Sequence, residues 1–270
     1  MNTTIRFSVF FVLFLSAFFV NGQELDTRQA PLPCVDKTFS VVVHIVLDSL
    51  GESNLTEDEI TEAIEAANVA FAPICIGFEI CEFRTIPNFQ YDDLDRQTTE
   101  WEELQVKYHV ARRINMFFVN NFGATEPYVC GFAGLGDIAE LERSGIVIRK
   151  EDCLNGGTVI HEFGHYFDLL HTFEGDREEL VDGSNCATTG DSICDTPADP
   201  FRIGDMVATY VDEAQGCRFI LQERDPNGDW YAPHVGNYMS YYPGGCACGF
   251  TYEQYLKMAN TFLNASDKMW

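Results

Sequence analysis

The chain has 270 residues, 42 acidic against 17 basic side chains, a formal net charge of -25 and ten cysteines. This length suits one domain, or two closely joined halves, with enough apolar sequence for a core. The charge excludes nucleic acid and anionic membrane surfaces as partners, and a hydrophobic content of 46% excludes a disordered chain. An even and high cysteine count points to an oxidising compartment.

Arg6, the apolar run over 7–20 and the small or neutral residues Val20, Asn21 and Gly22 read as a signal peptide over 1–22. The run is too short for a bilayer span, which needs roughly 20 residues. The expectation is a secreted, extracellular protein without a membrane partner once the signal is removed. A leader over 23–38, punctuated by Pro31 and Pro33, is too short for a folded prodomain, so no conventional latency is expected. Cys34 lies in this leader and faintly resembles a thiol switch over a metal. Cysteine parity favours a disulfide instead, one of five among ten cysteines.

From 39 onward the chain reads as one α+β catalytic domain over 39–270, with an N-terminal half at 39–171 and a C-terminal half at 172–270. The β-branched run 39–47 predicts a strand buried on both faces. Thr56 and Glu59 form a capping box, and Ile60, Ala63, Ile64 and Ala67 recur at helical spacing, predicting a helix over 57–71. A strand or hairpin follows at 74–86, a helix at 101–111, a buried strand at 115–119, a further strand at 144–149 and a helix near Thr158. Residues 172–250 are rich in Gly, Pro, Asp and Cys and carry little periodicity, so they need covalent ties from Cys186, Cys194, Cys217, Cys246 and Cys248. Thr251 and Gln254 cap a last helix reaching about Leu263. Asn54-Leu55-Thr56 and Asn264-Ala265-Ser266 are glycosylation sequons.

Three of the six histidines fall between 161 and 171. His161 and His165, four apart on a helix, share a face and reach one ion. His171 cannot join by helix continuation, because six more residues would carry it about 9 Å along the axis. The chain must bend between them. Three neutral imidazoles and a water make the open site of a catalytic zinc. Glu162, beside the pair rather than in it, is placed to act as general base on the zinc-activated water and to pass its proton to the leaving amine.

Several segments, in order, resemble the pappalysin family of metzincin zinc proteases: 115–121 (NMFFVNN), 145–148 (GIVI), 156–173 (GGTVIHEFGHYFDLLHTF), 190–198 (GDSICDTPA), 236–241 (GNYMSY) and 250–258 (FTYEQYLKM). The resemblance implies a metzincin-like fold, with a mixed sheet and helices in the N-terminal half, an irregular disulfide-held C-terminal subdomain and the active-site cleft between them. It implies a zinc-dependent endopeptidase acting on protein or peptide substrates, with Zn2+ on His161, His165 and His171. Met239 becomes the methionine of the family's turn, an apolar floor beneath the histidines. Tyr241 becomes the tyrosine near the zinc, able to donate to the oxyanion. The sequence departs from the family pattern at Asp168, where the motif has Gly. Asp tolerates the positive φ of such a bend at about 1 kcal/mol, so Asp168→Gly is expected to retain or improve zinc binding.

Asp176, Asp182, Asp191, Asp195 and Asp199 crowd the segment after the zinc motif. Oxygen ligands along a loop suit Ca2+, as in relatives, and solvated acids fit equally, so no calcium ligand is assigned. His44 reads as a satisfied core histidine, while His109 and His234 have no ligand spacing around them. The rival reading is a secreted non-catalytic binding protein on a degenerate protease scaffold. Retention of Glu162 with all three histidines argues against it.

Overall fold

The computed structural model describes residues 31–123, 129–139 and 144–265. The expected signal peptide, the leader up to residue 30 and Ser266 of the second sequon lie outside the described residues. β1 (Lys37–Val46) is an inner strand of a five-stranded sheet ordered β2-β1-β3-β5-β4, formed with β2 (Ile76–Ile86), β3 (Ile114–Val119), β4 (Gly131–Ala133) and β5 (Ile146–Arg149). β1, β2, β3 and β5 run parallel, and β4 pairs antiparallel with β5 at the edge. α1 (Glu57–Phe71) is the helix expected over 57–71, and its capping box forms: Thr56 N–H donates to Glu59 at 2.8 Å and Glu59 N–H to Thr56 Oγ1 at 3.3 Å. α2 (Glu100–Tyr108), α3 (Gly156–Tyr166) and α4 (Tyr252–Asn264) follow.

The strand alternation builds two cores, one on each face of the sheet. Phe39, Val41, Val43 and Ile45 of β1, with Met116 and Phe118 of β3, face a large cluster that includes Ile60, Ile64 and Phe71 of α1, Phe163 of α3 and Phe262 of α4. Phe117, Val119 and Val147 point the other way, toward Tyr91, Leu94 and Leu104. His44 lies on this second face, fully buried and stacked on Phe117 at 4.4 Å, with its Nε2 3.1 Å from Asn115 Oδ1. It is a core histidine, as expected from the strand pattern, but not a fully satisfied one, since its buried Nδ1 has no partner. β2 is a single strand rather than a hairpin; as an edge strand with several exposed positions, it shows only broken alternation.

Beyond His171 regular structure is sparse. β6 (Val211–Asp212) and β7 (Arg218–Phe219) form a small ladder, and Phe173, Phe201, Tyr210, Val235 and Tyr242 make a separate aromatic cluster. Cys186–Cys194 and Cys217–Cys246 tie this half, and Cys34–Cys75 and Cys130–Cys153 the other. Four disulfides form, not five. Cys81 stands on β2 with its Sγ 3.2 Å from Val41 O, and Cys248 stands beside Gly236 in the loop before α4, so the two remaining thiols have different neighbours and stay free. Cys34 is in a disulfide, which leaves it no role as a thiol switch. No helix among the described residues is long and apolar enough to cross a membrane.

Candidate active site

Asn155 caps α3, its Oδ1 accepting the Thr158 N–H at 2.9 Å. The helix then carries His161, Glu162 and His165 beneath the sheet's β4 edge. It stops in a Schellman-type turn, with Asp168 N–H donating to His165 O at 2.8 Å and Leu169 N–H to Gly164 O at 2.9 Å. The residue that such a turn places at positive φ is usually Gly; here Asp168 adopts φ +77°. The bend brings His171 back over the helix, so that His165 Nε2 lies 3.1 Å from His161 Nε2 and 3.0 Å from His171 Nε2.

His161 Nδ1 is 2.6 Å from Tyr238 O, and His165 Nδ1 is 2.7 Å from Leu169 O. A carbonyl only accepts, so each Nδ1 carries the proton and each Nε2 turns a lone pair inward. Two lone pairs 3.1 Å apart repel, and a cation between them and His171 relieves the repulsion. Nitrogens bound to a tetrahedral zinc at 2.0–2.1 Å stand about 3.3 Å apart, close to the spacing here. The three histidines form the one cluster of potential metal ligands among the described residues. Burial lowers all three pKa values, to about 3 for His161 and about 2 for His171, with the neighbouring imidazoles adding to the shift in both. They are therefore neutral, the form that ligates a metal.

Glu162 is 4% exposed, and its Oε2 has no hydrogen-bond partner. Burial pushes its pKa up to about 8, against the opposing pull of Arg96. β4 crosses close above it. A Cβ on Gly131 would stand 2.9 Å from both Glu162 Oε1 and Val147 O, so only glycine admits this approach. On the other side of α3 a Cβ on Gly164 would lie 2.3 Å from Met239 Sδ, and the thioether packs into that gap, fully buried. Tyr241 is 42% exposed, its ring 4.8 Å from that of His171 and 5.6 Å from that of His161. Burial, reinforced by Glu162, raises its hydroxyl to about 12, so it keeps its proton. All five site residues expected from the sequence thus lie together. His109 and His234 lie outside the triad.

The acids after the zinc motif separate. Asp176 pairs with Arg202 at 2.7 Å, Asp182 accepts the Ser184 N–H at 2.9 Å, and Asp195 accepts the Glu253 N–H at 2.8 Å in the first turn of α4. Asp199 is buried and accepts from Tyr242 and Thr172. Asp191 is buried, bonded by Thr196 and pushed by burial to about 7. Glu179, which sequence reasoning passed over, is 4% exposed; burial, then Asp191 and Asp199, raise it to about 8. The Tyr238 carbonyl and Gly131 were also passed over. Neither a backbone oxygen nor a three-residue strand leaves a side-chain pattern.

A helix bearing two of three convergent histidines, a sharp bend to the third, a methionine floor and a mixed sheet define a metzincin-type zinc metalloendopeptidase. Residues 148–263 match the family model described as pregnancy-associated plasma protein-A, and residues 57–172 one described as reprolysin-like metallo-peptidase. An extracellular metalloprotease of Colletotrichum graminicola is 28% identical over 244 residues, spanning 83% of this chain and 76% of its own. One of Pyricularia oryzae is 25% identical over 252 residues, spanning 90% and 78%. The fold is shared with mature mirolysin of Tannerella forsythia, solved in complex with a cleaved peptide, at TM-score 0.56 and 18% identity over 86% of this chain and 93% of that one. The match over 148–263 agrees with the resemblance to the pappalysin family read from the sequence, and the shared fold agrees with a metzincin-like architecture.

Proposed function

We propose that the chain is a secreted endopeptidase in which His161, His165 and His171 hold zinc, Glu162 is the general base and Tyr241 donates to the oxyanion. One observation carries this reading: three inward imidazole nitrogens stand beside a buried carboxyl whose Oε2 has no partner. Zinc, when bound, would acidify a water and polarise the scissile carbonyl. Glu162 takes the water's proton on that free oxygen and delivers it to the departing amine. Burial alone would keep this carboxyl largely protonated at neutral pH, and the charge of bound zinc would favour the carboxylate that accepts a proton. Tyr241, protonated at neutral pH, offers its O–H to the developing negative charge. β4, an edge strand beside Glu162, offers its backbone to an extended peptide lying between the halves 39–171 and 172–270.

Secretion is supported by four disulfides and by relatives named as extracellular, with 1–22 removed as a signal. Calcium, which the resemblance allows for the loop after the histidines, has the buried acids Glu179 and Asp191 as its candidates, but no group of three such ligands gathers there among the described residues. The test is cleavage of unfolded casein, with and without chelator, alongside metal analysis. Glu162→Gln is expected to keep its zinc and lose about 10²–10⁴-fold in kcat/KM. Wild-type cleavage by that variant would sink the mechanism. A wild-type protein that holds one zinc yet cleaves nothing across a broad peptide library would establish the binding-scaffold alternative.

A further inference from the structure

The carbonyl that fixes His161 belongs to a turn with an unusual foundation. Tyr238 O sits between Asn237 and Met239, and its position depends on how that turn is held. Backbone bonds from Tyr238 N–H to Gly249 O at 3.0 Å and from Thr172 N–H to Met239 O at 3.1 Å hold its flanks, and Asn237, 1% exposed, supplies the side-chain bonds within it. Its own carbonyl accepts both the Ser240 N–H at 3.2 Å and the Ser240 hydroxyl at 2.9 Å, and its Oδ1 accepts the Met239 N–H at 2.8 Å. Its Nδ2 donates to Gln254 Oε1 at 2.8 Å, while Gln254 Nε2 donates back to Asn237 Oδ1 at 3.2 Å. The two primary amides therefore pair reciprocally, like two bases, in a place without solvent.

Gln254 is the N3 residue of the α4 capping box, and its Oε1 also accepts the Thr251 N–H at 2.9 Å. A capping residue is ordinarily at the surface, whereas Gln254 is fully buried. Burying an amide is costly unless its hydrogen bonds are met, so this site tolerates little besides an amide. The burial makes sense if the side chain serves both the cap and the turn.

We propose that Asn237 and Gln254 are positioning residues for the metal site: α4 fixes the turn through their amide pair, and the turn fixes the imidazole of His161 through Tyr238 O. The inference rests on the zinc reading above. A ligand whose Nδ1–H bond is held in place presents its Nε2 at one angle; released from it, the ring swivels and the metal leaves faster. Neither residue touches substrate or metal.

The experiment measures zinc release to a chelator in the full-length protein, followed by absorbance, alongside melting of the metal-free form. Gln254→Met keeps the volume and removes both amide bonds. Zinc release is expected to quicken about 10-fold, the lower end for residues that orient a ligand histidine. Should that variant fail to fold, Asn237→Ser retains an oxygen to receive the Met239 N–H but loses the pair, and the same acceleration is expected. Thr251→Val removes the helix cap at a comparable stability loss of about 1 kcal/mol and leaves the pair intact, so its release rate should stay at wild type. Wild-type release rates in both amide variants would overturn the inference, as would equal acceleration in Thr251→Val. A wild-type protein that takes up no zinc would instead overturn the metal reading and this inference with it.

Discussion

The two halves of the molecule solve opposite problems. The N-terminal half is held by a sheet buried on both faces, with Phe39, Val41 and Val43 on one side and Phe117 and Val147 on the other. The C-terminal half has one two-stranded ladder before α4 and relies on two disulfides, an aromatic cluster and side-chain-to-backbone bonds. The three convergent histidines come from the end of the regular half, yet His161 is oriented by Tyr238 of the irregular one. Stiffness supplies the ligands, and the loops aim one of them. Conditions that act on one half alone therefore separate the two contributions.

The largest such effect is expected from acid on the N-terminal half. Burial lowers His44 to about 4, while Asn115 partly counters it; its Nδ1 has no partner. An unfolded histidine titrates near pH 6.5, so between these values the unfolded chain binds the proton and the folded one does not. The stability is complete above pH 6.5 and is lost as pH falls toward 4, by about 3 kcal/mol for a shift of this size at 1.36 kcal/mol per unit. Urea unfolding at pH 7 and pH 4, at one metal state, should show wild type losing that much more than His44→Gln. Equal losses would mean that His44 is charged in its core position.

A somewhat smaller effect, that of added calcium, would mark the C-terminal half. Glu179 and Asp191 are acids whose folded pKa values are raised to about 8 and about 7. Their contribution is present below the unfolded carboxylate range and falls as pH rises through it toward those values. Calcium bound there would cancel that fall. At a hundred times its dissociation constant it should add about 2.7 kcal/mol, read as a rise in melting temperature at pH 8 that Glu179→Gln abolishes. No rise in wild type would leave the loop acids without a cation.

How far these features were legible in the sequence follows the same division. α1 was legible to the residue because Thr56, Glu59 and the spacing of Ile60, Ile64 and Ala67 are local signals. The histidines were legible because two share a helix face and the third demands a bend. β4 was not, since three residues take their identity from pairing with β5 across the chain. Parity suggested a fifth disulfide, but pairing depends on Cα proximity that no count contains. Met239 stood out only through family resemblance, and the Asn237–Gln254 pair did not stand out at all, being 17 residues apart and joined only by the fold.

The smallest effect concerns the bend itself, where both halves meet. Asp168 sits at φ +77° and its carboxylate lies 3.6 Å from Lys257 of α4, with no hydrogen bond to a ligand histidine. Glycine would relieve about 1 kcal/mol of backbone strain. Against that stand the added entropy of an unfolded glycine, about 0.5–1 kcal/mol, and a part-exposed ion pair worth about 0.2–1 kcal/mol. The terms nearly cancel, so Asp168→Gly should change stability by less than about 1 kcal/mol and hold zinc at least as firmly as wild type. The bend's own backbone bonds, not its side chain, carry the Leu169 carbonyl to His165. A double-mutant cycle with Lys257→Met, read by zinc competition, checks this. Coupling under about 0.5 kcal/mol leaves the bend as the helix's own. Larger coupling, with zinc lost in Asp168→Gly, would mean that α4 steadies both ligands, His161 through Gln254 and His165 through Lys257.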